Sequence, residues 1–302
     1  MAARDSYRAQ VELLIRCLPA VASASDFALK GGTAINLFLR DMPRLSVDID
    51  LTYLPLSDRE TALDGIRAKL ATIAEGLKRA VPGANVQLVE GDAPKLLVDK
   101  SQARIKVEPS VVIRGSLVPP VWSELCMAAQ EAYELFVEIQ RLDLPDLYAG
   151  KLCAALDRQH PRDLFDVMHL QASDPIPDSI RQAFVAYLAG HRRPIAELLQ
   201  PNRKPIEDLF VNHFAGMTEE LVELAELEAA REQLFEWAAS ALTDSERRFL
   251  LSIKQGEPDW TLLPFEGLDR WPAIQWKLRN VRQMGSRSHM KALDRLRGVL
   301  GL

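Results

Sequence analysis

The stretch of sequence that decides the fold is residues 30–50, Lys-Gly-Gly-Thr-Ala-Ile-Asn-Leu-Phe-Leu-Arg-Asp-Met-Pro-Arg-Leu-Ser-Val-Asp-Ile-Asp. It opens with Lys30, Gly31, Gly32 and Thr33, followed by apolar residues at helical spacing. A glycine-rich turn at the start of a helix presents backbone N–H groups and the positive end of the helix dipole to an anion. We therefore expect these four residues to bind the phosphates of a nucleotide.

The same stretch ends in a pair of aspartates on a predicted strand. Within residues 46–54, apolar and polar side chains alternate with the period of two that is typical of a half-buried strand. Asp48 and Asp50 then project from one face, about 7 Å apart along the strand. Paired carboxylates at this spacing suit hard cations such as Mg²⁺. A metal site beside a phosphate-binding turn predicts nucleotide chemistry.

The remaining pattern predicts an α/β (α+β) N-terminal domain with a mixed sheet, residues 1–125, and a mainly helical domain, residues 126–302. Helices are expected at 5–19, 33–39 and 57–80, the last opened by a capping box of Ser57 and Glu60. Strands are expected at 27–29, 46–54, 85–90, 95–99 and 104–113. A further alternating run, 134–142, could add a strand to the first domain and blur the boundary. Helices follow from Pro145 almost to the end.

Composition excludes several classes of protein. A chain of 302 residues that is 48% hydrophobic and 26% charged is globular and long enough for two domains. Its three cysteines have neither metal spacing nor a disulfide pattern, which fits a reducing cytoplasm. An apolar signal core and a long apolar run are both absent from the sequence, so export and membrane spanning are not expected. The five histidines lack ligand spacing, and we expect them to be solvent-exposed or to cap helices.

The glycine pair followed by Asp48-Ile-Asp50 resembles the nucleotidyltransferase superfamily related to DNA polymerase β. The match is closer to one branch, the AbiEii/AbiGii-like toxins, which include MenT-like members. The segments Lys30-Gly-Gly-Thr and Arg44-Leu-Ser-Val-Asp-Ile-Asp-Leu carry this resemblance, and later motifs extend it over nearly the whole chain. The resemblance implies a nucleotidyltransferase of the EC 2.7.7 type that acts as the toxin of a toxin–antitoxin system.

Glu108 is the candidate third carboxylate. Two-metal nucleotidyl transfer uses more than two carboxylates, and Glu108 lies on the same face of its predicted strand as Lys106. The resembled family carries a Lys-x-Asp motif here, so glutamate is a mild departure that reaches one methylene further. Lys106 could contact phosphate or offset the repulsion between carboxylates. The alternative for Glu108 is an ordinary glutamate on the solvent face.

A second motif covers residues 146–166, Asp-Leu-Tyr-Ala-Gly-Lys-Leu-Cys-Ala-Ala-Leu-Asp-Arg-Gln-His-Pro-Arg-Asp-Leu-Phe-Asp. It is similar to the Lys-x-x-Ala…Arg and Arg-Asp-x-x-Asp motifs of the AbiEii-like family, which implies that Lys151 and Asp166 are required for toxicity and that residues 142–170 contribute to the active site. Lys151 could hold the triphosphate; Asp166 could orient Lys151, bind base or ribose, or act as a base. Arg162 and Asp163 are further nucleotide-binding candidates, the alternative being a capped helix start with ion pairs.

The C-terminal residues 276–302 are basic in a chain of net charge −5, with seven Lys or Arg against the single acid Asp294. Residues 219–246 show the opposite balance, nine acids against Arg231. Clustered cations provide sequence-independent affinity for phosphate backbones. We expect this stretch to contact RNA, the alternatives being a solvated helix face or a surface that docks the acidic segment.

The expected reaction transfers a nucleoside monophosphate from a nucleoside triphosphate to RNA, with Mg²⁺ or Mn²⁺ held by Asp48, Asp50 and Glu108. The family resemblance implies the tRNA 3′ end as acceptor, which would block translation, and a cognate AbiEi-like antitoxin as partner. The alternatives are transfer to a protein or small molecule, and a non-catalytic nucleotide-binding regulator with the same fold. Intact Asp48, Asp50, Glu108, Lys151 and Asp166 favour an enzyme.

Overall fold

The computed structural model describes residues 2–172 and 175–302, and it forms two compact units. Unit 1 comprises Met1–Asp143 with Ala215–Leu221, and unit 2 comprises Leu144–Phe214 with Val222–Leu302. The predicted order of an α/β part followed by a mostly helical part is confirmed. Among the described residues, every helix is too short or too polar to cross a membrane.

Unit 1 is built around one seven-stranded mixed sheet. Its helices are α1 (Ala2–Ala22), α2 (Gly31–Ala34, continued by a π-helical turn, Ile35–Leu39), α3 (Arg59–Ala80) and α4 (Met127–Tyr133). Its strands are β1 (Phe27–Lys30), β2 (Asp48–Tyr53), β3 (Asn85–Val89), β4 (Lys95–Lys100), β5 (Ala103–Ser110), β6 (Val121–Glu124) and β7 (Glu138–Arg141). The spatial order is β3-β4-β5-β2-β1-β7-β6.

The strand that carries the aspartate pair lies in the middle of this sheet. β2 pairs with β1 in antiparallel and with β5 in parallel orientation. Its apolar residues Ile49 and Leu51 are fully or almost fully buried, while Asp48 and Asp50 are half-buried on the other face. The alternation read from the sequence therefore fixes which face of β2 packs into the core.

Two helices cover the apolar face of the sheet. On α1, Val11, Leu14, Ile15 and Leu18 are completely buried, and the helix packs against α3, β5 and β7. The predicted capping box of α3 is wrong: Asp58, one residue later than Ser57, accepts hydrogen bonds from the N–H groups of Glu60 and Thr61. The Asp58 carboxylate thereby satisfies two of the backbone N–H groups that have no hydrogen-bond partner within the first turn of the helix.

Residues 121–141, which lie around the predicted boundary at 125, all belong to unit 1. β7 pairs in parallel with β1, which confirms that the 134–142 run adds a strand to the first domain, and β6 pairs with β7. β6 and α4 were not predicted. The short segment Ala215–Leu221 also returns to unit 1, where Met217 accepts a hydrogen bond from the N–H of Leu45 at 2.7 Å.

Unit 2 is helical. Its helices are α5 (Leu144–Arg158), α6 (Pro161–Gln171), α7 (Asp178–Gly190), α8 (Ile195–Leu199), α9 (Glu207–His213), α10 (Leu224–Ser240), α11 (Asp244–Gln255), α12 (Pro272–Arg282) and α13 (Ser286–Leu300). Short 3₁₀ turns lie at Trp260–Leu262 and Leu268–Arg270. α7 is central: it packs against α5, α11 and α12, and nearly all of its residues after Gln182 are buried. An unbroken apolar helix of this kind belongs inside a helical bundle.

Candidate active site

The sheet register brings the charged residues that were predicted for the site together on one face of the sheet of unit 1. Asp48 lies opposite Lys106, and Asp50 lies opposite Glu108 on β5 and opposite Lys30 on β1. Neighbouring strands of a sheet lie about 4.7–4.9 Å apart, so side chains at paired positions on one face are adjacent. The sheet therefore places Asp48, Asp50 and Glu108 next to one another, with the two lysines at the margins.

Gly31 leaves room for the carboxylate of Asp50. Its φ of +72° lies in the left-handed region, and an added Cβ would lie 2.5 Å from Oδ2 of Asp50. Glycine is thus required twice, by the backbone conformation and by the close approach of the carboxylate. The turn that begins α2 and the aspartate strand are fitted to each other at this point.

Gly32 and Thr33 hold the glycine turn against β2 and the segment before it. The buried Thr33 hydroxyl donates to the carbonyl oxygen of Asp48 at 2.6 Å and lies 3.0 Å from the Ser46 hydroxyl. A Cβ on Gly32 would lie 2.7 Å from Nη2 of the buried Arg44. The side chain of Thr33, a predicted phosphate ligand, thus supports the strand that carries Asp48.

We expect Gly31→Ala to lower the free energy of unfolding and to reduce metal binding. A non-glycine residue in the left-handed region costs about 1–2 kcal/mol, and the new methyl group also displaces the Asp50 carboxylate. Gly83→Ala is the matched control, because Gly83 has a φ of +80° with no atom within 4 Å of the added Cβ. Urea unfolding and Mn²⁺ titration of both variants separate the two effects: equal losses would mean that Asp50 is not displaced.

The donor set of this face fits a hard divalent cation, because Asp48, Asp50 and Glu108 all supply carboxylate oxygens. The side chains do not form a ready coordination shell: within the described ranges no group of three or more His, Cys, Asp or Glu side chains is arranged to hold a metal ion. Lys95, which sequence reasoning missed, accounts for part of this. Its Nζ lies 3.2 Å from Oε1 of Glu108, so this carboxylate is held by a neighbouring strand.

The motif at residues 146–166 forms a buried ion-pair network inside unit 2. Nζ of Lys151 lies 2.8 Å from Oδ1 of Asp163 and 2.8 Å from Oδ2 of Asp166. The side chain of Lys151 is 6% exposed and those of the two aspartates at most 1%. Arg158 donates from Nε and Nη2 to Asp163 and keeps most of its surface in solvent. Ion pairs therefore join α5 to α6.

The network sets the ionisation of Asp163. Burial opposes the charged form, but Lys151 and Arg158 outweigh burial and hold the pKa of Asp163 well below its usual range. Lys151 and Arg158 pair with the carboxylates of Asp163 and Asp166, and such pairing allows charges to persist inside a protein. Arg162 is half-buried in the first turn of α6, beside this network. Lys151 and Arg158 lie seven residues apart on α5, which puts them on one face of the helix. Their shared partner is Asp163.

His160 caps α6. Its Nδ1 accepts a hydrogen bond from the N–H of Arg162 at 3.2 Å, which confirms a capping role for this histidine. His191 makes the equivalent contact with the N–H of Arg193, also at 3.2 Å. Burial, assisted by neighbouring arginines for His160, lowers the pKa of each imidazole to about 4. Both rings are therefore neutral acceptors at neutral pH.

We expect unit 2 to lose stability as the pH falls from about 6.5 to about 4. In this range the unfolded chain binds protons at His160 and His191 while the folded chain does not, so the free energy of unfolding decreases with falling pH. Asp163 remains ionised throughout because its folded pKa is lower still. His160→Asn keeps a cap acceptor without a titrating ring, so its loss of stability should be smaller. Urea unfolding at pH 7.5, 6, 5 and 4.5 checks this, and parallel curves for variant and parent would contradict it.

The seven C-terminal basic residues differ in their environment. Lys277 is largely buried and its Nζ donates to the carbonyl oxygens of His191 and Arg193, each at 2.7 Å. Arg282, Arg287 and Lys291 are exposed on α12 and α13. The latter three remain candidates for an RNA-binding surface, whereas Lys277 braces the connection between α7 and α8.

Comparisons with known proteins agree with the fold and with the family resemblance. The chain matches the family described as nucleotidyl transferase AbiEii toxin, type IV toxin–antitoxin system, over residues 12–280. A solved structure, the MenT4 nucleotidyltransferase toxin from Mycobacterium tuberculosis H37Rv, is similar with a TM-score of 0.60 at 18% identity, covering 98% of this chain and 95% of that one. A search of curated proteins found no match. Because the family match spans most of the sequence, the chain belongs to the AbiEii nucleotidyltransferase toxins of type IV toxin–antitoxin systems.

Proposed function

We propose that this nucleotidyltransferase adds a nucleoside monophosphate from a nucleoside triphosphate to the 3′ end of an RNA, with tRNA as the cellular acceptor. The observation that carries the proposal is the aspartate pair on β2 beside Gly31. Gly31 has a left-handed backbone conformation, and the Asp50 carboxylate occupies the space that a side chain at this position would need. Packing of the core does not require two carboxylates on this strand. Metal-dependent phosphoryl chemistry does.

In the proposed reaction, the acceptor hydroxyl releases its proton to water and its oxygen bonds to the α-phosphorus. The bond between the α-phosphorus and the oxygen that bridges it to the β-phosphorus breaks, and pyrophosphate leaves. Asp48, Asp50 and Glu108 would hold Mg²⁺ or Mn²⁺, which when bound neutralises phosphate charge and lowers the pKa of the attacking hydroxyl. The N–H groups of Gly31 and Gly32 bind the triphosphate at the start of α2. Lys30 and Lys106, on the same face as the carboxylates, add positive charge for the phosphates.

For unit 2 we propose that Lys151 and Asp166 are needed for transfer, with Arg162 and Asp163 in support. The buried network supports a dual role, because it fixes the ammonium of Lys151 between two carboxylates. A cation with a fixed position stabilises developing negative charge without reorganising. We therefore propose that Lys151 stabilises the pairing of α5 with α6 and is also needed for transfer.

RNA is the proposed acceptor because exposed cations on α12 and α13 suit a phosphate backbone. Addition of nucleotides to the tRNA 3′ end would block aminoacylation and so stop translation. A cognate antitoxin, an AbiEi-like protein, is the proposed partner that restrains the enzyme. The type IV assignment of the family supports this partner.

The test is to incubate the protein with each labelled nucleoside triphosphate in turn, Mg²⁺ and total RNA, and to find which species gains label. We expect label in RNA of tRNA size, with loss in EDTA. Label in protein or in small molecules, and not in RNA, would show that RNA is not the acceptor. The absence of label with all triphosphates in the presence of cell extract would overturn the transfer reaction.

We expect reversal of Arg282, Arg287 and Lys291 to glutamate to weaken RNA binding irrespective of sequence. Three lost phosphate contacts would reduce the slope of log affinity against log salt by about two to three, at roughly 0.7–0.9 per contact. Anisotropy titrations of labelled RNA from about 50 to about 200 mM salt measure this slope. Unchanged affinity and slope would show that this surface serves packing or a protein partner.

A further inference from the structure

Unit 2 contains a cavity of about 420 Å³ that the transfer reaction does not use. It is formed by the loop before α8, by α8 itself and by α11, α12 and α13. Ligand pockets of small molecules occupy about 300–1,000 Å³, so this volume suits one small molecule or one nucleotide.

The polar lining is strongly cationic. Five basic side chains line the cavity against one acid, Glu197: Arg192, Lys254, Lys277, Lys291 and Arg295. Glu197 is already engaged, since it lies 3.4 Å from Nη2 of Arg193 and 3.7 Å from Nη1 of Arg295. Arg192 likewise lies 3.7 Å from Oδ2 of Asp157. The excess of positive charge in the cavity therefore comes from its three lysines, Lys254, Lys277 and Lys291.

Lys254 and Lys277 show this excess most clearly. Nζ of Lys254 contacts Sδ of Met284 at 3.4 Å, and no carboxylate of the described residues forms an ion pair with it. Burial lowers the pKa of Lys254; burial and then the charge of Lys254 lower the pKa of Lys277 to about 8. Desolvated cations without a counter-charge are unfavourable. A bound anion would supply the missing partner.

Most of the remaining lining is apolar; Asn280 and Ser288 are its uncharged polar members. Ile195, Ile253, Val281, Met284 and Leu296 form a wall beside the cations. An inorganic anion would gain no binding free energy from this apolar wall, whereas a ligand with a flat ring would bury the ring against it. Thioether groups such as that of Met284 make favourable contacts with ring edges. The ligand thus has several negative charges at one end and a ring at the other.

We propose that this cavity binds a nucleotide, with its phosphates among the lysines and its base against the aliphatic wall. The nucleotide is either free in solution or part of a single-stranded RNA held by the exposed cations of α12 and α13. The inference goes beyond the proposed transfer, because it assigns a second nucleotide site to unit 2. Of the residues that line the cavity, Lys291 also belongs to the proposed RNA-binding surface.

The experiment measures binding where the unit 1 site cannot contribute. All variants are compared with one parent protein, the double mutant Asp48→Asn/Asp50→Asn, kept in EDTA. Binding of labelled ATP is measured by equilibrium dialysis, and binding of labelled single-stranded RNA is measured by anisotropy. We expect binding to persist in this parent, to weaken roughly tenfold in Lys254→Met, as for one charged hydrogen bond, and to disappear in Ala292→Trp, which fills the cavity without changing charge. Arg270→Met is the matched control, since Arg270 is exposed in unit 2 and does not line the cavity.

The two ligands identify the source of the nucleotide. ATP binding that is sensitive to Lys254→Met supports a free nucleotide; RNA binding with this sensitivity, without ATP binding, supports a strand. The proposal is overturned if Lys254→Met changes the binding of neither ATP nor RNA. It is also overturned if inorganic pyrophosphate binds tightly and Ala292→Trp leaves that binding unchanged. If Ala292→Trp melts early, Lys254→Met decides alone. Failure of the transfer reaction shows separately, as absent label in the wild-type assay.

Discussion

Replacing Asp48 or Asp50 with alanine is expected to abolish nucleotide transfer while unit 1 stays folded. Both carboxylates lie half-buried on the polar face of β2, and the core packing of this strand comes from Ile49 and Leu51. Transfer should fall by more than about 10²-fold, the scale for losing one preorganised charge-stabilising group. The free energy of unfolding in EDTA should change by less than about 1 kcal/mol, because no apolar contact is removed.

The matched control is Asp99→Ala. Asp99 is a carboxylate on β4 of the same sheet, it pairs with Arg104 at 2.5 Å, and it has no proposed role in transfer. This variant should keep wild-type transfer and Mg²⁺ dependence. Single-turnover transfer and isothermal titration with Mn²⁺ should separate the variants. Near wild-type transfer with normal Mg²⁺ dependence in Asp48→Ala would contradict the assignment of the metal site.

Replacing Lys151 with alanine is expected to have the second large effect, on stability and on transfer together. It would leave Asp163 and Asp166 side by side and almost fully buried without their shared ammonium. Removal of one partner from a buried ion pair costs about 3–5 kcal/mol. Arg158→Ala should cost much less, about 0–1 kcal/mol, because the Arg158 side chain is 59% exposed. Urea unfolding of the two variants measures the difference.

Transfer by Lys151→Ala is measured at a temperature where the variant is fully folded. We expect a loss of about 10²–10³-fold per folded molecule and poor rescue by Lys151→Arg, since a planar fork does not replace a compact ammonium. The combination of Lys151→Met, Asp163→Asn and Asp166→Asn removes the network and should restore stability without restoring transfer. Normal transfer in folded Lys151→Ala would end its catalytic assignment, and a normal melting temperature would end the bracing role.

The local chemistry of the candidate site follows from short-range patterns. The alternation around Asp48 and Asp50 predicted a strand with both carboxylates on one face, and the structure shows them there. The glycine pair predicted a turn at the start of a helix, which is α2. Such predictions succeed because the periods of strand and helix are properties of a few consecutive residues. The cap of α3 was misplaced by one residue because Ser57 and Asp58 both have suitable side chains.

The sequence by itself therefore determined the class of fold, the carboxylate strand and the glycine turn. Tertiary structure decided what each charge faces: Lys95 holds Glu108, Lys151 lies between two aspartates, and Lys277 is buried against carbonyl groups. It also decided that β6 and α4 complete the sheet unit. Strand register and helix packing bring together residues that are far apart in sequence, and burial then sets the energy of each charge. No pattern within one segment contains that information.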